Sequence, residues 1–252
     1  MRRAPGPPRV TVLADDAAIA RGLADRVAQA LQANPRLVLG LPTGRTPVGF
    51  YDELSSRVER GLVDLSQATT FNLDEFVGIP ASHPGSFRTF MNAHLFRRVN
   101  LLPERIHFLE GVTADSDKEC ERYEREIAAA GGIDLQILGI GSNGHIGFNE
   151  PAGALVARTH RVLLEPETRR DNAGLFGGDP GVVPAEALSM GIATILQARQ
   201  ILLVSRGAAK AGIIARVLTG PISSEIPGSF LQLHPDVEVV LDPEAASGLR
   251  GS

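Results

Sequence analysis

Leu135-Gln136-Ile137-Leu138-Gly139-Ile140-Gly141-Ser142-Asn143-Gly144-His145-Ile146-Gly147-Phe148-Asn149-Glu150-Pro151 begins as a short apolar run and empties into a glycine-rich loop. A run of that length, closed by glycine, reads as a buried strand. Working outward, similar runs occur at 10–13, 37–41, 69–73, 106–109, 201–204 and 237–241. Helical periodicity fills the stretches 17–33, 47–60, 87–97, 117–130 and 208–218 between several of them. Gly131-Gly132 and Gly220-Pro221 follow two of these patterns as stop signals. The alternation specifies βα units, an α/β fold and a mostly parallel sheet. Neither an internal repeat nor a low-complexity linker interrupts it, so residues 1–252 read as one domain. Residues 1–8 read as a loose N-terminal arm and 242–252 as a loose C-terminal tail. Ligands of such sheets bind beyond the carboxyl ends of the strands, which directs attention to the loops that follow the apolar runs.

The quoted loop contains a formal G-x-G-x-x-G at Gly139, Gly141 and Gly144. A dinucleotide site also needs a helix opening there and an acidic residue about 20 positions on. His145 follows the third glycine directly and Pro151 breaks the chain soon after, so a nicotinamide cofactor is not expected. The other reading is an ordered catalytic loop. His145 is a proton shuttle suited to neutral pH, with Asn143 and Glu150 as partners for its ring. No second His stands at metal-ligand spacing, and no metal is expected.

Leu41-Pro42-Thr43-Gly44-Arg45-Thr46-Pro47 leads from a strand into a helix. Thr46 reads as the N-cap and Pro47 as the first helical residue. The loop is either a well-capped turn or, through Thr43, Gly44, Arg45 and Thr46, an anion cradle at a helix N-terminus. Phe71-Asn72-Leu73-Asp74-Glu75-Phe76 ends another run in two adjacent carboxylates. They point to opposite faces, so one at most faces a given pocket, where burial would make it a base. The alternative is a capping Asp with a solvated Glu. Lys210, after Val204-Ser205-Arg206-Gly207, reads as lying in the first turn of a helix, where it opposes the dipole unless an anion sits nearby.

Composition narrows the function. The chain of 252 residues is 43% hydrophobic and 21% charged, with a net charge of −4. That balance lacks the clustered cations of a nucleic-acid binder. No apolar run approaches the roughly 20 residues of a membrane span, no signal-like segment opens the chain, and the cytoplasm is the expected compartment. Cys120 is the single cysteine. It sits in a charge-rich stretch with no thiol partner and no nearby His, and reads as structural.

Five stretches together resemble the glucosamine-6-phosphate deaminase family. They are Leu39-Gly40-Leu41-Pro42-Thr43-Gly44, Phe71-Asn72-Leu73-Asp74-Glu75-Phe76-Val77-Gly78, His83-Pro84-Gly85-Ser86-Phe87, Gly141 through Pro151, and Leu231-Gln232-Leu233-His234-Pro235. The resemblance implies a Rossmann-like, doubly wound sheet used without a cofactor. It implies an amino-sugar phosphate as substrate, with isomerisation and deamination to fructose 6-phosphate and ammonia. Asp74 would be the base between carbons 2 and 1. His145 would open the ring, assisted by Asn143 and Glu150. Lys210 and the loop of Thr43, Gly44, Arg45 and Thr46 would hold the phosphate. Some members carry Asp where Asn143 stands. An Arg that members usually place on the phosphate aligns with Gly174, so Arg45, Arg169 or Arg170 would have to replace it. The resemblance leaves open galactosamine 6-phosphate as substrate, a 6-phosphogluconolactonase-like lactone hydrolysis, and assembly into a homo-oligomer.

Overall fold

The structure, a computed structural model, describes residues 6–249. Its strands in chain order are β1 (Arg9–Val12), β2 (Val38–Leu41), β3 (Thr69–Asn72), β4 (Asp74–Phe76), β5 (Ile106–His107), β6 (Leu135–Leu138), β7 (His160–Leu163), β8 (Glu186–Ser189), β9 (Gln200–Ser205) and β10 (Val237–Leu241). The helices are α1 (Asp16–Ala33), α2 (Val48–Glu59), α3 (Phe87–His94), α4 (Ser116–Ala129), α5 (Pro166–Asn172), α6 (Ile192–Leu196) and α7 (Ala211–Thr219).

The seven apolar runs pair into one seven-stranded sheet, in the order β1-β10-β9-β6-β2-β3-β5. Every pair in it is parallel. Runs that are apolar on both faces bury both. Residues of α1, α2 and α3 pack with one hydrophobic cluster, and residues of α4, α6 and α7 with the other. The sheet is therefore doubly wound. From β2 the chain steps outward to β3 and β5, returns to β6 beside β2, then steps the other way to β9 and β10. The order reverses between β2 and β6, and the crevice above that point is where such sheets bind ligands. At the same place Gly40 faces Gln136 across the two strands. A Cβ on Gly40 would lie 2.0 Å from the Gln136 amide oxygen, so glycine is what lets that buried side chain cross.

A second, three-stranded antiparallel sheet, β4-β8-β7, was not foreseen. The run 69–73 leaves the main sheet at Asn72. The Leu73 amide still donates to Leu41 O (3.3 Å), while its carbonyl accepts from Met190 N (2.8 Å). Asp74 thus opens a new strand rather than ending the old one.

Other boundaries also moved. The pattern 87–97 breaks at Leu95 into α3 and a 3-10 turn. The helix expected from Pro47 starts at Val48; Pro47 occupies the cap position, and Thr46 makes no capping bond. Lys210 does not lie in the first turn of its helix. Gly207, at φ +85°, turns the chain, Ala208–Lys210 closes a 3-10 turn, and α7 begins at Ala211. The tail expected to be loose from 242 is packed as far as 249. Asp242 accepts the amides of Gly207 and Ala245, at 2.9 and 2.7 Å, and Ala245 and Ala246 are buried. Positions 250–252, and 1–5 of the N-terminal arm, lie outside the described residues. No helix among the described residues is long and apolar enough to cross a membrane.

Gly191 joins β8 to α6 under main-chain carbonyls. A Cβ there would lie 2.2 Å from Arg158 O and 2.5 Å from Ala157 O. Gly191→Ala is expected to destabilise the protein by about 1–3 kcal/mol through overpacking. Urea unfolding checks this as a lower midpoint at unchanged slope.

Candidate active site

The two acids of β4 have opposite surroundings. Strand alternation turns Glu75 toward the N-terminus of α3. Its Oε1 accepts the amides of Phe76 (2.9 Å) and Phe87 (3.0 Å). Its Oε2 accepts the Ser86 hydroxyl (2.9 Å) and the Arg88 amide (3.0 Å). Ser86 caps the same helix through the amides of Arg88 and Thr89. Glu75 is therefore a structural capping group.

Asp74, only 6% exposed, points the other way, toward the loop after β6. A Cβ on Gly147 would stand 3.8 Å from Asp74 Oδ2. Burial, reinforced by the Glu75 charge, pushes the Asp74 carboxyl up to about 8. Tyr51 is fully buried and feels the Asp74 charge. Its hydroxyl donates to Pro42 O and so fastens the loop after β2.

The loop after β6 is built around glycines, and no helix opens behind Gly144. Gly144 (φ +91°) and Gly147 (φ +56°) take backbone conformations that side chains disfavour. Gly141 lies under the imidazole: a Cβ there would come within 2.3 Å of His145 Cε1. His145 N donates to Asn143 Oδ1 (3.1 Å), and Asn143 Nδ2 donates to Glu150 Oε2 (3.0 Å). His145 Nδ1 stands 3.3 Å from Glu150 Oε2. The pair is off the line of a hydrogen bond, and Nδ1 and Glu150 Oε1 are both buried without one. Burial works to raise the Glu150 pKa, but His145, then Thr168 and Asn143, outweigh it and hold the carboxyl below its ordinary value.

Two residues that the sequence reading passed over hold this loop against β8. Ser189 Oγ accepts the Phe148 amide (3.0 Å). Asn149 Nδ2 donates to Ile146 O and Met190 O, both at 2.8 Å. Ser189 is also the register partner of Asp74. One pair of strands therefore positions the carboxylate and supports the His145 loop.

At the far side of the crevice Gly44 (φ +93°) turns the loop of Thr43, Gly44, Arg45 and Thr46. Arg206 pairs with Asp16 and reaches Arg45 O at 3.4 Å. Lys210 is half-buried; burial lowers its pKa, Asp171 and Glu167 oppose that, and the Arg45 charge adds to it. Glu167 also accepts the Ser142 hydroxyl (2.7 Å), tying α5 to the His145 loop. Gly174 is exposed, with open space where a side chain would begin. Arg169 is engaged with Val183 O and Gly181 O. Cys120 is buried beside acids on α4, which pushes its thiol up to about 11. No group of three or more His, Cys, Asp or Glu among the described residues is placed to hold a metal.

An acid whose folded pKa exceeds its unfolded value makes the protein less stable as pH rises between the two. For Asp74 that window runs from the ordinary aspartate value, about 4, to about 8. Asp74→Asn removes this penalty. Its melting temperature is expected to match wild type near the bottom of the window and to exceed it increasingly toward pH 8. Paired thermal melts across that range check the sign.

Comparison with known proteins identifies the family. Residues 13–240 match the family model of glucosamine-6-phosphate isomerases/6-phosphogluconolactonase. The chain is 48% identical to a glucosamine-6-phosphate deaminase of Alkaliphilus oremlandii, over 88% of this chain and 91% of that one. It is 44% identical to one of Beutenbergia cavernae, over 96% and 92%. The solved structure of a monomeric glucosamine-6-phosphate deaminase superposes with a TM-score of 0.92 at 39% identity, covering 95% of this chain and 99% of the other. A 6-phosphogluconolactonase from Thermotoga maritima shares the fold, with a TM-score of 0.75 at 20% identity over 93% and 99%. The chain belongs to the family of glucosamine-6-phosphate isomerases and 6-phosphogluconolactonases.

Proposed function

We propose that this chain converts glucosamine 6-phosphate to fructose 6-phosphate and ammonia. The observation that carries the reading is the pair formed by Asp74 and the His145 loop. A buried carboxylate with a raised pKa lies beside the loop that bears His145, at the switch point, as proton transfer between adjacent carbons requires. The deaminase names of relatives at 44–48% identity support the same substrate.

The steps follow from the parts. His145 moves a proton from the anomeric hydroxyl to the ring oxygen, and the pyranose opens to the aldehyde. The aldehyde acidifies the C2 hydrogen. Asp74 takes that proton and returns it to C1 while the nitrogen gives up a proton and the C1 oxygen gains one, so the aldehyde becomes an alcohol and an imine is left on the former amine carbon. Water adds to that carbon, the C–N bond breaks, and ketone and ammonia depart. Asn143 and Glu150 hold the His145 segment in register. Thr43, Gly44, Arg45 and Thr46 with Lys210 receive the phosphate. Arg45 is the cation at that loop whose charge already reaches Lys210, so it stands in for the guanidinium absent at Gly174.

Purified protein given glucosamine 6-phosphate without metal or nucleotide should release ammonia and fructose 6-phosphate in equal amounts. Asp74→Asn should lose at least about 100-fold in turnover, the lower end of general-base contributions. Equal activity of the variant would remove Asp74 as the base.

The base must be ionised in the free enzyme. With its carboxyl at about 8, log kcat/KM is expected to climb with pH and level off near pH 8, where a solvated aspartate would give a limb near about 4. Initial rates at low substrate across pH 5–9 locate the limb.

A further inference from the structure

Behind β4, on the side of Glu75 rather than Asp74, lies a second cavity of about 560 Å³. Its walls include Glu75, Ser82, Arg88, Asn92 and Arg97. The Arg88 guanidinium is the unusual element. It sits in the corner of two perpendicular rings, 5.6 Å from the Phe96 centroid and 5.2 Å from the Phe108 centroid. Cation–π contact fixes the plane but leaves the N–H groups unpaired. Among the described residues this guanidinium makes no hydrogen bond and no ion pair. Glu75 takes the Arg88 main-chain amide instead, and its two oxygens already receive four donors. Glu110 at the exposed rim is the other nearby negative charge. Against both acids burial still prevails and holds the Arg88 pKa below its ordinary value.

The remaining walls add donors. The side chains of Ser82, Asn92 and Arg97 are likewise without partners among the described residues. The Thr89 hydroxyl, also in the wall, is spent on Ala81 O (2.9 Å) and can only accept. Two guanidinium forks, a hydroxyl and an amide N–H₂ outnumber the oxygens of a carboxylate and suit a tetrahedral oxyanion. We infer that this cavity is a second anion site, distinct from the reaction crevice, in which Arg88 and Arg97 hold a phosphate group with Ser82 and Asn92 on its remaining oxygens. The volume leaves room for an organic group on that phosphate.

The test uses the full chain carrying Lys210→Ala, to weaken phosphate binding in the crevice, with inorganic phosphate as probe at constant ionic strength. Phosphate is expected to raise the melting temperature of this variant saturably. Adding Arg97→Gln, on the exposed rim where folding is not at stake, should weaken the apparent affinity by about ten-fold or more, the size of one lost charged contact. Adding Arg88→Gln should abolish the response. A crystal soaked in selenate should show its anomalous peak between Arg88 and Arg97. The proposal is overturned by no saturable shift in the Lys210→Ala protein, by unchanged affinity with Arg97→Gln, or by a selenate-soaked crystal with no peak in this cavity.

Discussion

The antiparallel pairing of Asp74 with Ser189 is the constraint on which the site depends. It is a short contact, one register pair in a three-residue strand, yet it fixes three things. It sets which face of β4 each carboxylate takes. It places Ser189 where its hydroxyl accepts the Phe148 amide, so the loop bearing His145 is hung from the strand that pairs with Asp74. It also brings Met190 O to Asn149, which closes the same loop a second time. A shift of one residue would exchange the faces of Asp74 and Glu75. The acid with four donors would then stand in the crevice, and the bare one at the start of α3.

That exchange would undo the proposed chemistry because the two acids differ in surroundings rather than in kind. Glu75 is 2% exposed, and burial raises its pKa while four donors oppose the rise. Asp74 is similarly buried with no donor among the described residues to offset the lost water, and the negative charge beside it adds to the cost. A buried carboxyl without partners destabilises the fold when ionised, but it is also a stronger base than a hydrated one. In the role proposed for Asp74, the protein trades local stability for reactivity, and the capping by Glu75 anchors the strand that carries it.

The sequence disclosed the large sheet because its strands are apolar on both faces and closed by turn residues. Five helices were likewise visible from their periodicity. The small sheet was not legible for a physical reason. β4 has three residues, too few to show any period, and β7 alternates between half-buried and exposed positions. The pairing of β4 with β8 joins segments more than 100 residues apart in the chain, which local pattern does not reveal. Ser189 carries no signal in a single sequence, since an isolated serine is ordinary. Asn149 stood inside the motif, but its task is to close a turn rather than to touch a substrate. Lys210 and Thr46 were displaced by local backbone geometry: Gly207 and Pro47 each postpone the start of a helix by a residue or more.

The loop after β6 shows how geometry would moderate His145 in the acid–base role proposed for it. Opening a pyranose ring asks one group to accept a proton and then give it back, so a partner that captures the imidazolium too firmly would spoil the second half. Asn143 contributes an amide that bridges the His145 main chain and Glu150 without adding charge. Glu150 supplies the nearby negative charge, but at 3.3 Å and off the line of Nδ1 it attracts without trapping. Gly141 removes the side chain that would lift the ring from the backbone. The imidazole lies over the Gly141 main chain with Nδ1 unpaired, an arrangement that suits the proposed role of taking a proton and returning it.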